Sequence, residues 1–303
     1  MNKIYYFCIK KAISVPDMPQ KRHKHCIMRT IAGLPLGVLY LVSDLAYYVL
    51  YYIVRYRRKV VHNNLLNAFP EKSISERRKI EKAFYHSLCD IFIESFKTLN
   101  ISDKELRERV QVYNYELPER IAGQGRSSLM LLGHCGCWEW CQEICVRYKA
   151  PKRNGELYKR INNMYFGSLM HKIRSHWDTE QIEMHNAVRT ILQWNKEGEP
   201  FLIGFICDQR PETQAKGTTT FMTQKTGYIP GAEEIGRKIN AELIYLDVER
   251  TSRGHYRLTF YEMNIQEDLK NEKFPITQLY WQMLEGTIRR QPEIWLWSHK
   301  RWS

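Results

Sequence analysis

Two short polar runs carry groups that could move a proton. Gly133-His134-Cys135-Gly136-Cys137-Trp138-Glu139 follows an apolar run at 127–132, and Asp208-Gln209-Arg210 follows another at 201–207. His134 and Glu139 stand five residues apart across a glycine-containing turn. That spacing predicts a carboxylate folded back onto one imidazole nitrogen, leaving the other free. Such a pair suits general-base chemistry, because the histidine takes a proton near neutral pH while the acid fixes its tautomer and stabilises the imidazolium. The alternative is a histidine that only completes a strand end, and HxxxxE spacing by itself does not separate the two.

The elements that must hold these groups alternate. Ser73-Ile74-Ser75-Glu76 has capping-box spacing and opens a helix with Ile80, Phe84, Leu88, Ile91 and Phe96 along one face. Residues 127–132 read as a buried strand and 138–148 as a helix. Residues 188–196 read as a helix stopped by Gly198, and 201–207 as a second buried strand. A helix is predicted at 231–240, then strands at 242–249 and 255–263. This alternation predicts an α/β fold with a mostly parallel central sheet flanked by helices and late antiparallel additions. In such sheets, sites form beyond the carboxyl ends of strands, which is where both polar runs fall.

Charge is unevenly placed. The 303 residues carry 46 Lys+Arg and 33 Asp+Glu, a net +13. Residues 1–60 hold 11 of the bases and 2 of the acids, so most of the excess lies there. A globally basic nucleic-acid binder is therefore disfavoured. The basic residues bracket the single long apolar run, 31–54, which has 12 Leu/Ile/Val, five Tyr and one charge, Asp44. Its length could span a bilayer, but a central Asp costs about 3 kcal/mol there and the tyrosines suit a headgroup boundary. The expected organisation is a basic N-terminal extension at 1–27, a membrane anchor with basic flanks at 28–60, and a single catalytic domain at 61–303. Basic clusters at both ends argue against a buried core helix, and Asp44 with the tyrosines favours an interfacial helix over a spanning one. Met28, just before the anchor, is an alternative start.

Four of the eight cysteines, Cys135, Cys137, Cys141 and Cys145, crowd beside His134. Cys137, Cys141 and Cys145 share one helical stripe, and no CxxC knuckle accompanies them. Buried thiols in a core are therefore expected, with no metal site and no cofactor.

The ordered motifs resemble the bacterial lipid A biosynthesis late acyltransferases, the lauroyl and myristoyl transferases of the wider lysophospholipid acyltransferase-like group. His134 to Glu139 resembles that family's HxGxWE form of the HxxxxD/E motif. Arg57-Arg58-Lys59-Val60-Val61 with Asn64-Leu65 and Phe69-Pro70 is similar to its RRxVVxxNLxxxFP block. Tyr158-Lys159 with Asn163 is similar to its Y[RK]xxxN element, and Arg174 stands where a downstream arginine is expected. Asp208-Gln209 matches its DQ, and Trp297-Ser298-His299-Lys300-Arg301-Trp302 is similar to its WSHRRF terminus. Cys137 departs from the usual Asn and Arg160 from the usual Pro. The stretch after Asp208 also lacks the usual acidic/Gly sequence and FFG turn. These departures touch chain and acceptor selectivity more than the reaction.

The resemblance implies an O-acyltransferase. It would move a fatty acyl chain from the thioester of acyl carrier protein to a hydroxyl of a lipid A precursor, at the cytoplasmic side of the inner membrane. A lysophospholipid or a hydroxylated amino-acid lipid is the alternative acceptor. His134 is then the base and Glu139 its orienting acid. Arg174 is the first candidate for oxyanion or phosphate contact and Lys159 the second, with Asp208 ordering that cation or the acceptor. Arg160, Asn163, Gln209 and Trp138 are the further substrate contacts. Each has a plainer alternative: Arg174 paired to a surface acid, Lys159 solvated, Asp208 capping a helix. An anionic membrane surface is the third expected partner. A tethered, non-enzymatic module is the reading to be tested against these.

Overall fold

The protein is described here from a computed structural model covering residues 28–147, 151–177, 179–211 and 214–302. The expected extension at 1–27 and the predicted helix end at Tyr148 lie outside these residues.

Among the described residues, nine strands follow in chain order: β1 (Val110–Tyr113), β2 (Ser128–Leu132), β3 (Arg153–Tyr158), β4 (Glu180–Glu183), β5 (Phe201–Ile206), β6 (Gly217–Phe221), β7 (Gln224–Tyr228), β8 (Glu242–Ser252) and β9 (His255–Glu262). All but the β6–β7 hairpin join one sheet, in the order β1-β9-β8-β2-β5-β3-β4. Every pair in that sheet is parallel except β8–β9. The sheet is thus mostly parallel with its antiparallel turn late in the chain, as the alternation predicts. The central strands are covered on both faces, so β2 reads Ser-Leu-Met-Leu-Leu with every residue buried.

The helices are α1 (Leu36–Tyr48), α2 (Arg58–Ala68), α3 (Ile74–Lys97), α4 (Asp103–Arg109), α5 (Glu116–Gly123), α6 (Glu143–Arg147), α7 (Met164–Arg174), α8 (Ala187–Glu197), α9 (Gly231–Ile239) and α10 (Pro275–Arg290). The capping box at α3 forms in full: Ser73 accepts from the Glu76 amide, and the Glu76 carboxylate accepts from the Ser73 amide. Phe84, Leu88 and Ile91 on its apolar face are buried.

Two expectations about helices change. Residues 138–148 are not one α-helix; a 3-10 turn at Trp138–Gln142 precedes the short α6. The tight turn around Gly136 leaves too little chain to start an α-helix before the domain's packing fixes Trp140. The apolar run 31–54 is likewise broken. It turns before Pro35, forms α1, and ends in a π-helical segment, Val49–Val54, closed by Arg55 in the left-handed region. Leu36–Val54 is long and apolar enough to cross a membrane by length and composition.

One face of α1, carrying Leu36, Leu39, Ser43 and Tyr47, packs into the domain. Polar ties hold it there. Ser43 donates to Asp90 at 2.6 Å and Tyr40 to Glu94 at 2.8 Å, both acids on α3. Arg253, in the turn between β8 and β9, lies 2.6 Å from both Asp44 and Asp90. Asp44 is therefore paired with the domain. Val38, Leu41, Val42, Leu45, Tyr48 and Val49 remain exposed on the opposite face.

Candidate active site

β2 and β5 pair in parallel with Ser128 opposite Leu202 and Leu132 opposite Ile206. Both chains continue for two residues beyond the last pair and end on His134 and Asp208. His134 Nδ1 and Asp208 Oδ1 are 2.5 Å apart, and the His134 amide donates to Asp208 Oδ2 at 2.9 Å. Trp295 Nε1 donates to the same Oδ2 at 2.8 Å. Asp208 is buried, and burial alone would raise its carboxyl. The charge of His134 and these hydrogen bonds outweigh that and hold it below the usual carboxylate range. When the imidazole is neutral, the proton facing an ionised Asp208 is the one on Nδ1, and the lone pair is then on Nε2. That nitrogen lies 3.4 Å from the exposed Gln209 amide, and the His134 side chain keeps 16% of its exposure.

The acid on the imidazole is thus Asp208, and the expected contact of Glu139 with the ring is not made. The glycine turn directs the Glu139 side chain away from the ring and into the domain, where Arg174 receives it. Arg174 Nε reaches both Glu139 oxygens at 3.1 Å, and Nη2 reaches Oε1 at 2.7 Å. Glu139 is buried and Arg174 half-buried, so Arg174 is not paired to a surface acid, and Asp208 neither caps a helix nor orders Arg174. Trp138 links the two groups: its ring meets His134 edge to face at 5.0 Å, and its Nε1 donates to Glu139 at 3.2 Å. Glu156 on β3 approaches Arg174 to 3.8 Å. Burial, then the nearby Glu139 charge, push its carboxyl up to about 8, against the pull of Arg174.

The loop owes its shape to glycine at two points. Gly136 has φ +56°, and a Cβ there would lie 2.5 Å from the Tyr256 ring. A Cβ on Gly133 would lie 2.5 Å from Leu284 of α10. The C-terminal segment pins the loop from the other side. The Gly136 amide donates to Ile294, the Leu296 amide donates to the His134 carbonyl, and Tyr280 donates to the Leu132 carbonyl. That segment is itself held by Asn64, whose amide donates to the Trp297 and His299 carbonyls, and by Arg57, which donates to Ser298. The Arg210 amide donates to His299 Nε2 at 3.0 Å.

The remaining expected contacts lie farther out. Lys159 and Arg160 are exposed just past the end of β3. Asn163 caps α7, accepting from the Phe166 amide at 3.0 Å, so its side chain serves the helix. Trp295 and Tyr280 also bound the site, and the Trp-Leu-Trp run at 295–297 is the sequence signal for the first of them. Burial holds the Cys135 and Cys137 thiols well above their ordinary range, which leaves little thiolate for a covalent acyl step. Among the described residues, no group of three or more His, Cys, Asp or Glu could hold a metal ion.

The family model for bacterial lipid A biosynthesis acyltransferases matches residues 24–303. The chain belongs to that family. The motifs that resembled it at a distance in sequence, Arg57/Asn64, His134 to Glu139, Asp208 and the C-terminal Trp297 to Trp302, are neighbours in this acyltransferase. The sequence finds no match among curated proteins. Among solved structures, the 1-acyl-sn-glycerophosphate acyltransferase PlsC from Thermotoga maritima is similar at 10% identity, over 84% of this chain and 97% of its own, with a TM-score of 0.37.

Proposed function

We propose that this acyltransferase moves a fatty acyl group from the thioester of acyl carrier protein to a hydroxyl of a lipid A precursor, working at the cytoplasmic face of the inner membrane. The observation that carries the reading is the His134–Asp208 pair, with Nε2 directed away from the buried carboxylate. The hydroxyl proton passes to Nε2, and Asp208 stabilises the imidazolium. The acceptor oxygen bonds to the thioester carbon. The tetrahedral intermediate then collapses with loss of the C–S bond, and the thiolate leaves with the proton held on His134.

Arg174 and Glu139 act in this reading as a brace. They hold Trp138 against the imidazole and so fix the direction of Nε2. Lys159 and Arg160 meet anionic groups of the carrier or the acceptor, and Gln209 contacts the reacting hydroxyl. The docked α1 lies in the membrane interface, with its exposed apolar face toward lipid and Asp44 kept on Arg253.

Mass spectrometry of lipid A from cells with and without the gene tests the reading, alongside transfer assays with acyl carrier protein thioester. Loss of one acyl chain, restored by the wild type but not by His134→Ala, is the expected result. Unchanged lipid A with an altered phospholipid or amino-acid lipid would replace the acceptor. Full transfer by a folded His134→Ala protein would remove the mechanism.

A further inference from the structure

The helix α7 carries one apolar stripe that is covered at one end and bare at the other. Tyr165, Leu169 and Ile173 follow at intervals of four, and Phe166 and Met170 run beside them. Ile173 is buried against Ala32 and Leu99, with Leu169, Met170 and Met28 packed on the same cluster. The C-terminal half of the stripe is therefore closed by the segment that leads into α1. The N-terminal half is open: Met164, Tyr165 and Phe166 are 63%, 85% and 41% exposed. Tyr165 lies about 6 Å along the helix from Leu169, since each residue rises about 1.5 Å.

Three consecutive large apolar side chains at a helix start, continuous with a covered stripe, mark a contact surface. Two features identify what it meets. The cover on the other half is the lead-in to α1, whose outer face, with the π-helical segment after it, carries exposed apolar side chains between Val38 and Val54. The same edge of the domain carries Lys159 and Arg160, both exposed, and Lys172, whose amine is lowered first by burial and then by the nearby Arg29 charge. Apolar and aromatic side chains flanked by cations fit the boundary of an anionic bilayer.

We infer that Met164, Tyr165 and Phe166 form a second membrane contact, a wedge on the catalytic domain separate from α1. The inference rests on reading α1 as an interfacial helix. Phe166, Met170 and Arg174 lie along one line of α7, so the helix that enters the lipid boundary ends on the guanidinium that braces Glu139. The wedge would set the depth at which the loop carrying His134 meets a lipid-borne hydroxyl.

Depth-dependent quenching tests this. An environment-sensitive fluorophore is attached to the full chain at Tyr165→Cys, with Leu41→Cys on the outer face of α1 and Val188→Cys on α8 as comparisons. The labelled wild type supplies the background from native cysteines. Vesicles contain anionic lipid and a nitroxide at headgroup or acyl-chain depth. Quenching at 41 and 165 but not at 188 is the expected result. A second variant, Tyr165→Ser with Phe166→Ser, should raise the KM for a vesicle-borne acceptor about tenfold while leaving the KM for the acyl carrier protein thioester unchanged.

Quenching at 41 without 165 would overturn the wedge and leave the α1 reading intact. Quenching at 165 without 41 would remove α1 from the interface and overturn the two-contact arrangement proposed. Quenching at neither would overturn both. A raised KM for the carrier protein thioester in the double variant, with no quenching at 165, would assign the surface to that protein and overturn the lipid assignment.

Discussion

His134 and Asp208 are 74 residues apart in the chain and continue the β2–β5 pairing by two residues on each strand. Their contact is set by strand register rather than by local spacing. A residue two past the end of one strand faces the residue two past the end of its parallel neighbour, and here both are ionisable.

Asp208→Asn should lower transfer by on the order of a thousandfold, because an amide facing Nδ1 can donate and so favour the tautomer with its proton on Nε2. Glu139→Gln keeps the Asp208 contact and acts only through Trp138, so its kcat should fall by a smaller factor. Saturating-donor kinetics on variants with native thermal melts would check the order. Equal losses would return Glu139 to the imidazole.

Arg174→Met should destabilise the fold by about 3–5 kcal/mol, since it leaves Glu139 buried and charged without its partner. Adding Glu139→Gln should recover much of that loss. Urea denaturation of the two single variants and the double variant gives the coupling directly.

Glu156 predicts a pH dependence. Its folded carboxyl is raised to about 8, so between the ordinary value of about 4.3 and pH 8 the folded state binds more protons than the unfolded state. Stability therefore falls as pH rises through that window. Glu156→Gln should flatten the fall, measured as the urea midpoint from pH 5 to pH 8.5. An unchanged slope would place the titration elsewhere.

Gly136→Ala should cost at least about 1–2 kcal/mol for the left-handed backbone alone, with further strain from the Tyr256 ring. Because Gly136 lies between His134 and Trp138, transfer should fall more than stability does. Gly125→Ala has φ +72° but open space around it, and controls for the backbone contribution.

Arg253→Ala should loosen α1 from the domain. Asp90 is buried and loses its cation, and Asp44 is released toward the surface. Faster proteolysis within 33–60, with the 61–303 fragment left resistant, is the expected pattern. Unaltered cleavage would mean that packing of Leu36, Leu39 and Tyr47 is sufficient to hold the helix.

Local chemistry was legible in the residues themselves. The capping box at Ser73, the buried runs that became β2 and β5, and the polar groups just beyond each run depend on side-chain type and short spacing. β3, β4 and the β6–β7 hairpin were missed because their half-polar, half-buried residues form no clean alternation. β3 has a single buried residue among half-buried ones, and β6 alternates in burial although four of its five residues are Gly or Thr. Helix α10 was missed as well, although Pro275 at its first turn and basic residues in its last are helix signals.

What the sequence determined by itself was the inventory: a base and several acids at strand ends, glycines at the turn, an apolar run bracketed by cations, and motifs shared with a family. Only the tertiary structure decided the partners. Nearness along the chain pointed His134 to Glu139, but the paired ends of β2 and β5 brought Asp208 to it and left Glu139 to Arg174. Likewise, Asp44 was a cost within an apolar segment until the turn between β8 and β9 supplied Arg253. Hydrogen bonds and ion pairs act over a few ångströms, and distance in space, not in sequence, determines which of them form.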